Sequence, residues 1–357
     1  VYQLYMTQYS LGDSYKNIDF GGVYTTPAAG SIVYNNVSAT SPNSLPPASN
    51  YGDFAIYNGS NWFITSNSNV TLGALANGDG TQPLYGVAIG ANAGYTTQND
   101  YAIAIGYNAG YNSQGQEAIA IGSNAGSNLQ GNYAVALGLL AGSLNQGEGG
   151  VAIGAAAGYS NQGSNSIAIG INAAIDLQGT YAVALGNYSG FSNQGSESIA
   201  IGHYAGYQVQ SNYAIAIGAY AGQSNQGENA IAIGTSNANY GQGAQAIAIG
   251  ATAGYSNQLE SAIAIGNTAG QIDQDSNAIA IGTYTGALGQ KGYAIAIGEH
   301  AGYSNQGSNS VALGKEAGTS NQGNYAISIG SIAGNSNQGI FAVAIGSGDR
   351  KSTRLNS

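Results

Sequence analysis

The sequence predicts an all-β fold, a β-solenoid (β-roll) of seventeen 16-residue coils preceded by a small N-terminal β region. Three observations carry this. A closing Gly recurs at 90, 106, 122, 138 and onward to 346, always sixteen residues later and seventeen times without a slip. A fixed period of this kind marks one supersecondary unit stacked on itself. The residues before each Gly, as in Ala102 to Ile105, alternate Ala with Ile, Val or Leu; this is the period of two of a strand. Roughly three Gly per repeat, together with β-branched residues at alternate positions, argue against a helix.

With the closing Gly as position zero, the consensus is A-I-A-I-G-x-x-A-G-x-x-N-Q-G-x-x. Positions +12 to +15 form one short strand, the Gly columns form corners, and a second extended piece surrounds the Gln at +8. Each coil then pairs with the next at roughly 4.8 Å, which extends seventeen coils to about 80 Å. Hydrophobicity ranks Ile, Val or Leu at +13 and +15 as the inward pair, for example Ile103 and Ile105 over Ile119 and Ile121. Ala at +14, kept in sixteen of seventeen copies with Ser328 the exception, then faces outward. A dry carpet of methyl groups suits a subunit interface, formed by Ala104, Ala120, Ala136, Ala152, Ala168, Ala184, Ala200 and Ala216 with their equivalents. The Gln column (Gln98, Gln114, Gln130, Gln146, Gln162, Gln194, Gln226, Gln306 and the rest) is expected to form an amide ladder. Tyr recurs at +5 (Tyr95, Tyr111, Tyr159, Tyr207, Tyr255, Tyr303) and at +11 (Tyr101, Tyr133, Tyr181, Tyr213, Tyr293, Tyr325). These rows either cover the corners of the coil or bind a glycan or receptor, with the +5 row as the candidate surface-binding aromatics, since Tyr offers amphipathic contact at low entropic cost.

Residues 1–85 lack the clock and are rich in Tyr, Asn, Ser and Pro. Alternating apolar runs flank Asn58-Gly59, a strong hairpin signal. Trp62, the only tryptophan, is expected to pack there. Thr26-Pro27 and Ser44 to Pro47 mark turns or a linker, and the region is expected to seal the first coil. Residues 86–346 are the solenoid. Residues 347–357 break the pattern: both arginines, and three of the six Lys and Arg residues, fall in this tail. It reads as foreign to the native chain, a cloning scar or adapter read-through. The start at Val1, without a signal-peptide pattern, suggests a processed product or a fragment.

The 357 residues carry a formal net charge of −10 with only 6% charged residues. An acidic chain without a Lys/Arg patch is not expected to bind nucleic acid. The absence of cysteine excludes disulfides, thiolate catalysis and cysteine zinc sites. No apolar run approaches a membrane span, so no membrane insertion is expected in this segment. His203 and His300 stand about six coils apart and cannot share a metal. Glu117, Glu197, Glu228 and Glu260 are scattered singly rather than paired across a cleft. Asp273 and Asp275 form a D-x-D outside any calcium-binding nonapeptide. Gly147 to Gly150 lacks the helix and Lys of a phosphate loop. Nucleophile, base and orienting group never occur together, so neither enzyme activity nor a cofactor is expected. Sequons stand at Asn36, Asn58, Asn69 and Asn187.

The A-I-A-I-G-x-x-A-G pattern over residues 86–346 resembles the N-S-V-A-I-G-x-x-S/A head repeats of YadA-like trimeric autotransporter adhesins. It is also similar to the A-I-G-x-x-A-G repeats of phage and large-virus fibre proteins. The resemblance implies a left-handed β-roll and three chains side by side. It implies a non-enzymatic rod for attachment to surfaces or receptors, extracellular, on a cell surface or on a virion. The adhesin repeat has typically fourteen residues, against sixteen here. An ice-binding solenoid and a self-stacking filament are the alternative expectations. Thr is sporadic (Thr96, Thr252, Thr268, Thr319), which weakens the first.

Overall fold

The computed structural model describes residues 32–34, 54–57, 62–65, 69–78 and 83–348. The chain divides into two compact units, Val1–Thr71 and Leu72–Ser357. In the first unit Ile32–Tyr34, Phe54–Tyr57 and Trp62–Thr65 form an antiparallel three-stranded sheet in chain order. Tyr57 pairs with Trp62, so the two runs are antiparallel neighbours as expected, and the Asn58-Gly59 turn lies outside the described residues. The packing of the Trp62 side chain, the Pro-containing stretch 41–47 and the tail 349–357 lie outside the described residues.

The second unit is a β-solenoid, and all its regular elements among the described residues are strands. Each coil contributes two three-residue strands, one at +13 to +15 and one at +6 to +8, such as Ile199–Ile201 and Gln208–Gln210. Like strands pair in parallel with the next coil in sixteen-residue register, Ile199 on Ile215 and Gln210 on Gln226. The backbone between the strands bonds to its neighbours in the same way. The Gly206 N–H donates to Ala221 O at 2.9 Å and the Tyr213 N–H to Ser196 O at 3.0 Å. Each coil therefore satisfies most of its backbone polar groups through the coils beside it, with only tight turns such as Ala205 N–H to Gly202 O closed within the coil, which is why the repeat cannot stand alone.

The inward and outward faces are the reverse of those expected. Ala104, Ala120, Ala136, Ala152, Ala168, Ala184, Ala200 and Ala216 are fully buried. They line the interior with the Ala residues at +3 and +12 and are not a subunit interface. Ile, Val and Leu at +13 and +15 point outward, half-buried to exposed, as Leu185 (41%) and Ile281 (36%) show. The reason is volume. Two three-residue strands bring their inner faces so close that a methyl group on one side and a Gln on the other fill the space. Interiors pack at nearly crystalline density, so size and not hydrophobicity selects the inward residue.

The Gly columns enforce the same closeness. Gly206 has φ 53°, and a Cβ there would stand 2.8 Å from Gln210 Oε1 and 3.2 Å from Ala200 Cβ. The closing Gly202 has φ 129°, and its Cβ would meet Gly218 O of the next coil at 2.6 Å. Positions +2, +7 and +11 also take positive φ, although most hold residues other than Gly. Asn, which tolerates this region, is common at +7, as in Asn193 (φ 55°) and Asn225 (φ 55°). Val209 occupies the same position at φ 53°, a strained choice for a β-branched residue.

Two outcomes follow. Ala200→Leu overfills the interior and costs ~3 kcal/mol, read as a lowered thermal midpoint and faster amide exchange in the flanking coils. Val209→Asn relieves the strained position and stabilises by about 1 kcal/mol, whereas Asn225→Val does the opposite by a similar amount; melting curves of the pair check both signs.

Candidate functional surfaces

The residues singled out by sequence fall on four sites: the interior, the outward strand face and two aromatic corners. The Gln column is interior. Gln98, Gln114, Gln130, Gln146, Gln162, Gln194, Gln226 and Gln306 are all buried. Each amide spans the coil: Gln226 Nε2 donates to Ile215 O at 2.7 Å and to Ala230 O at 3.2 Å. Ile215 opens the strand Ile215–Ile217, and Ala230 stands in the turn before the next coil's strand, Ile231–Ile233. The same Nε2 lies 3.2 Å from Gln242 Oε1 of the next coil. Such amide–amide contacts run at 2.9–3.3 Å through most of the stack. The run is interrupted at Gln114, Gln130, Gln178 and Gln322, whose Oε1 atoms are buried without a partner; Gln322 donates instead to Ser328 Oγ at 3.2 Å, while Ser328 donates to Gln338 Oε1 at 2.7 Å. The single Ser in the Ala column therefore takes part in the polar network rather than lying against it unpaired.

The outward strand face carries two apolar ranks, +13 and +15. Neighbours in a rank are about 4.8 Å apart, and the ranks lie about 6.6 Å from one another. Alternation places one residue of each rank in every coil, which makes a continuous flat strip with the stack's own repeat.

The first aromatic corner combines +5 with +2. Tyr95, Tyr159, Tyr207, Tyr255 and Tyr303 are half-buried and Tyr111 is exposed. Where two +5 rings follow one another they stack, Tyr95 on Tyr111 at 5.0 Å and Phe191 on Tyr207 at 4.8 Å. A second aromatic row at +2 was not singled out by sequence, although its sixteen-residue recurrence was visible. Tyr188, Tyr204 and Tyr220 stack at 4.9 and 5.4 Å, and Tyr284 stacks on His300 at 5.2 Å. His203 lies edge-on to Tyr204 and Tyr220. Crowding raises the Tyr204 phenol pKa, first through desolvation and then through charge repulsion with Tyr188, Tyr207 and Tyr220. In these ladders each ring covers its neighbour's face, which leaves little open ring face for a ligand.

The second aromatic corner, +11, is more open: Tyr133, Tyr181 and Tyr293 expose 51%, 61% and 63%. The carboxylates of Asp273 and Asp275 do not converge on a shared ion. Asp273 accepts from Asn257 Nδ2 at 2.9 Å, and Asp275 pairs with Lys291 at 3.6 Å. No group of three or more His, Asp or Glu that could hold a metal occurs among the described residues. A shallow groove of about 310 Å³ is lined by Gly289, Lys291, Asn305, Gln306, Asn321 and Asn324. It presents amides and one ammonium group. No helix among the described residues is long and apolar enough to cross a membrane.

No family model, no curated protein and no solved structure matches the chain.

The amide ladder has a measurable weight. Gln226→Leu removes the amide donor to the Ile215 and Ala230 carbonyls, the second of which keeps the Ile215 N–H, and takes its acceptor from Gln210 Nε2; it is expected to cost about 1–3 kcal/mol. Exposed Asn225→Ser, one residue away, is expected to stay within about 1 kcal/mol of the parent; comparison of their unfolding midpoints separates the ladder from its surroundings.

Proposed function

We propose that the chain is a structural fibre or adhesin-head segment, non-enzymatic, which serves as a stiff homotrimeric rod for attachment outside the cell or on a virion. The outward Ile/Val/Leu strip is the observation that supports this most. Over seventeen coils it is about 80 Å long, and two ranks of side chains make it about 10 Å wide. Its area, roughly 800 Å², equals what one partner contributes to a standard protein interface. A soluble monomer rarely exposes so large a contiguous apolar patch.

A second copy of the chain is the natural occupant. The strip repeats with the coil, so parallel copies meet coil by coil with Ile ranks always facing Ile ranks. The number three comes from the resemblance to trimeric adhesin heads and fibre repeats, whereas the face comes from the solenoid itself. The interface proposed from sequence therefore moves from the Ala column, now interior, to the two ranks on either side of it. An apolar seam along the axis leaves the corners and the polar +6/+7 face outward, where attachment to a glycan or cell-surface receptor would take place.

Absolute mass by light scattering on residues 1–346 tests the reading, with a mass of three chains expected. Combined Ile199→Thr, Ile215→Thr, Ile231→Thr and Ile247→Thr should shift the population toward single chains while circular dichroism retains its β signal. A parent chain that stays monomeric at micromolar concentration would overturn the reading.

A further inference from the structure

The +11 corner contains a feature that neither the amide ladder nor the apolar strip requires. Tyr101, Glu117 and Tyr133 occupy +11 in three consecutive coils, and Tyr181, Glu197 and Tyr213 repeat the arrangement five coils later. All six adopt the same left-handed backbone, with φ between 55° and 61°. Each is held by its N–H to the preceding coil: Glu117 N to Asp100 O, Tyr133 N to Gln116 O, Glu197 N to Thr180 O and Tyr213 N to Ser196 O, at 2.8–3.0 Å. An Asn before the second Tyr braces each corner. Asn132 Oδ1 accepts from the Gln116 N–H and Asn212 Oδ1 from the Ser196 N–H, at 3.0 and 2.9 Å.

Ring orientation in this row is visible where two rings are adjacent. Tyr85 stacks on Tyr101 at 5.3 Å and 17°, and Tyr325 on Phe341 at 5.1 Å and 13°. Rings at +11 therefore stand face-on along the stack. With a Glu in the coil between them, two such rings are about 9.6 Å apart, which leaves about 6 Å between their surfaces. The Glu is shorter than Tyr, so its carboxylate lies at the floor of a slot walled by two ring faces. Tyr133, Tyr181 and Tyr213 make no ring contact among the described residues, and neither Glu117 nor Glu197 belongs to an ion pair there.

We propose that Tyr101–Glu117–Tyr133 and Tyr181–Glu197–Tyr213 are two binding slots for an organic cation, an alkylammonium or a guanidinium group. Ring faces attract such cations through their quadrupole, the carboxylate supplies the opposite charge, and the chain's net charge of −10 favours their approach. A trimethylammonium group, about 6 Å across, fills the gap and touches both rings; a planar guanidinium, about 3.4 Å thick, stacks on one ring while it bonds to the carboxylate, and a hydrated sodium ion gains little from the rings. The slots lie on one corner about 24 Å apart, so a single basic segment could occupy both. Tyr293–Asn309–Tyr325 has the same walls, and Asn324 Oδ1 braces the Ser308 N–H in the same way, but the floor is neutral. It is an internal control. The slots belong to a single chain and do not depend on the oligomeric reading.

Isothermal titration of the full chain with tetramethylammonium chloride, against sodium chloride at equal ionic strength, tests the proposal. Saturable binding at two sites per chain is expected for tetramethylammonium only. The double variant E117Q/E197Q should weaken it by about tenfold or more with an unchanged melting curve. N309E should raise the stoichiometry from two sites to three. A peptide with two arginines on an uncharged linker long enough for both slots distinguishes the source. If it binds more tightly than its one-arginine version, through effective concentration, the slots serve a basic partner segment; equal binding assigns them to small free cations. No saturable heat beyond the sodium control, or undiminished binding by E117Q/E197Q, overturns the proposal.

Discussion

The thinness of the coil governs the rest of the structure. Two three-residue strands face one another across a space that holds an Ala methyl on one side and a Gln side chain on the other. The Gln at +8 bridges this space, its Nε2 on the carbonyls of the opposite strand and turn and close to the next Gln's Oε1. Burying an amide costs least when its hydrogen bonds are made; the Nε2 groups of the column donate, while Oε1 of Gln114, Gln130, Gln178 and Gln322 lies buried without a partner. The column therefore ties strand to strand within a coil and coil to coil along the stack. Gly accordingly holds the closing position in every coil and predominates at +4, where a side chain crowds the Gln amide and only the methyl groups of Ala174 and Ala238 replace it.

A core of methyl groups and amides buries little apolar area per residue compared with a core of Leu and Ile. The regular backbone pairing between coils carries more of the cohesion, as expected for a quasi-one-dimensional fold in which each repeat contacts only its neighbours. The large apolar side chains are displaced to the outside. What a globular domain would use to fold, this chain displays as a strip with the period of its own stack. Folding rests on Ala at +14, and the association proposed above rests on its two neighbours in the same strand.

The corners carry the individuality of the chain. The positions whose side chains vary, +1, +2, +5, +6, +10 and +11, lie on a backbone that barely changes from coil to coil, so a residue type placed at one of them recurs in a fixed geometry. At +2 and +5 this produces covered aromatic stacks. At +11 the interruption of Tyr by Glu keeps ring faces apart and open, and a two-coil spacing becomes a slot. The difference lies in which coils carry the rings, and it turns the same residue type from a lining into a binding wall.

Much of this was legible in the residues. The sixteen-residue clock, the strand at +13 to +15, the glycine corners, the Gln column and the antiparallel pairing of Phe54–Tyr57 with Trp62–Thr65 follow from spacing and residue chemistry, because a periodic chain satisfies its backbone by stacking. The facing of the strand was not legible. Alternation states that Ala104 and Ile105 point to opposite sides, but when both faces are apolar it does not say which side is the interior. Only the tertiary structure decided that, through the distance between the two strands of one coil, which admits a methyl group and excludes an Ile. The same holds for the aromatic rows: recurrence of Tyr at +5 and +11 is written in the sequence, but whether a ring is covered or open depends on what its neighbours along the stack place against it.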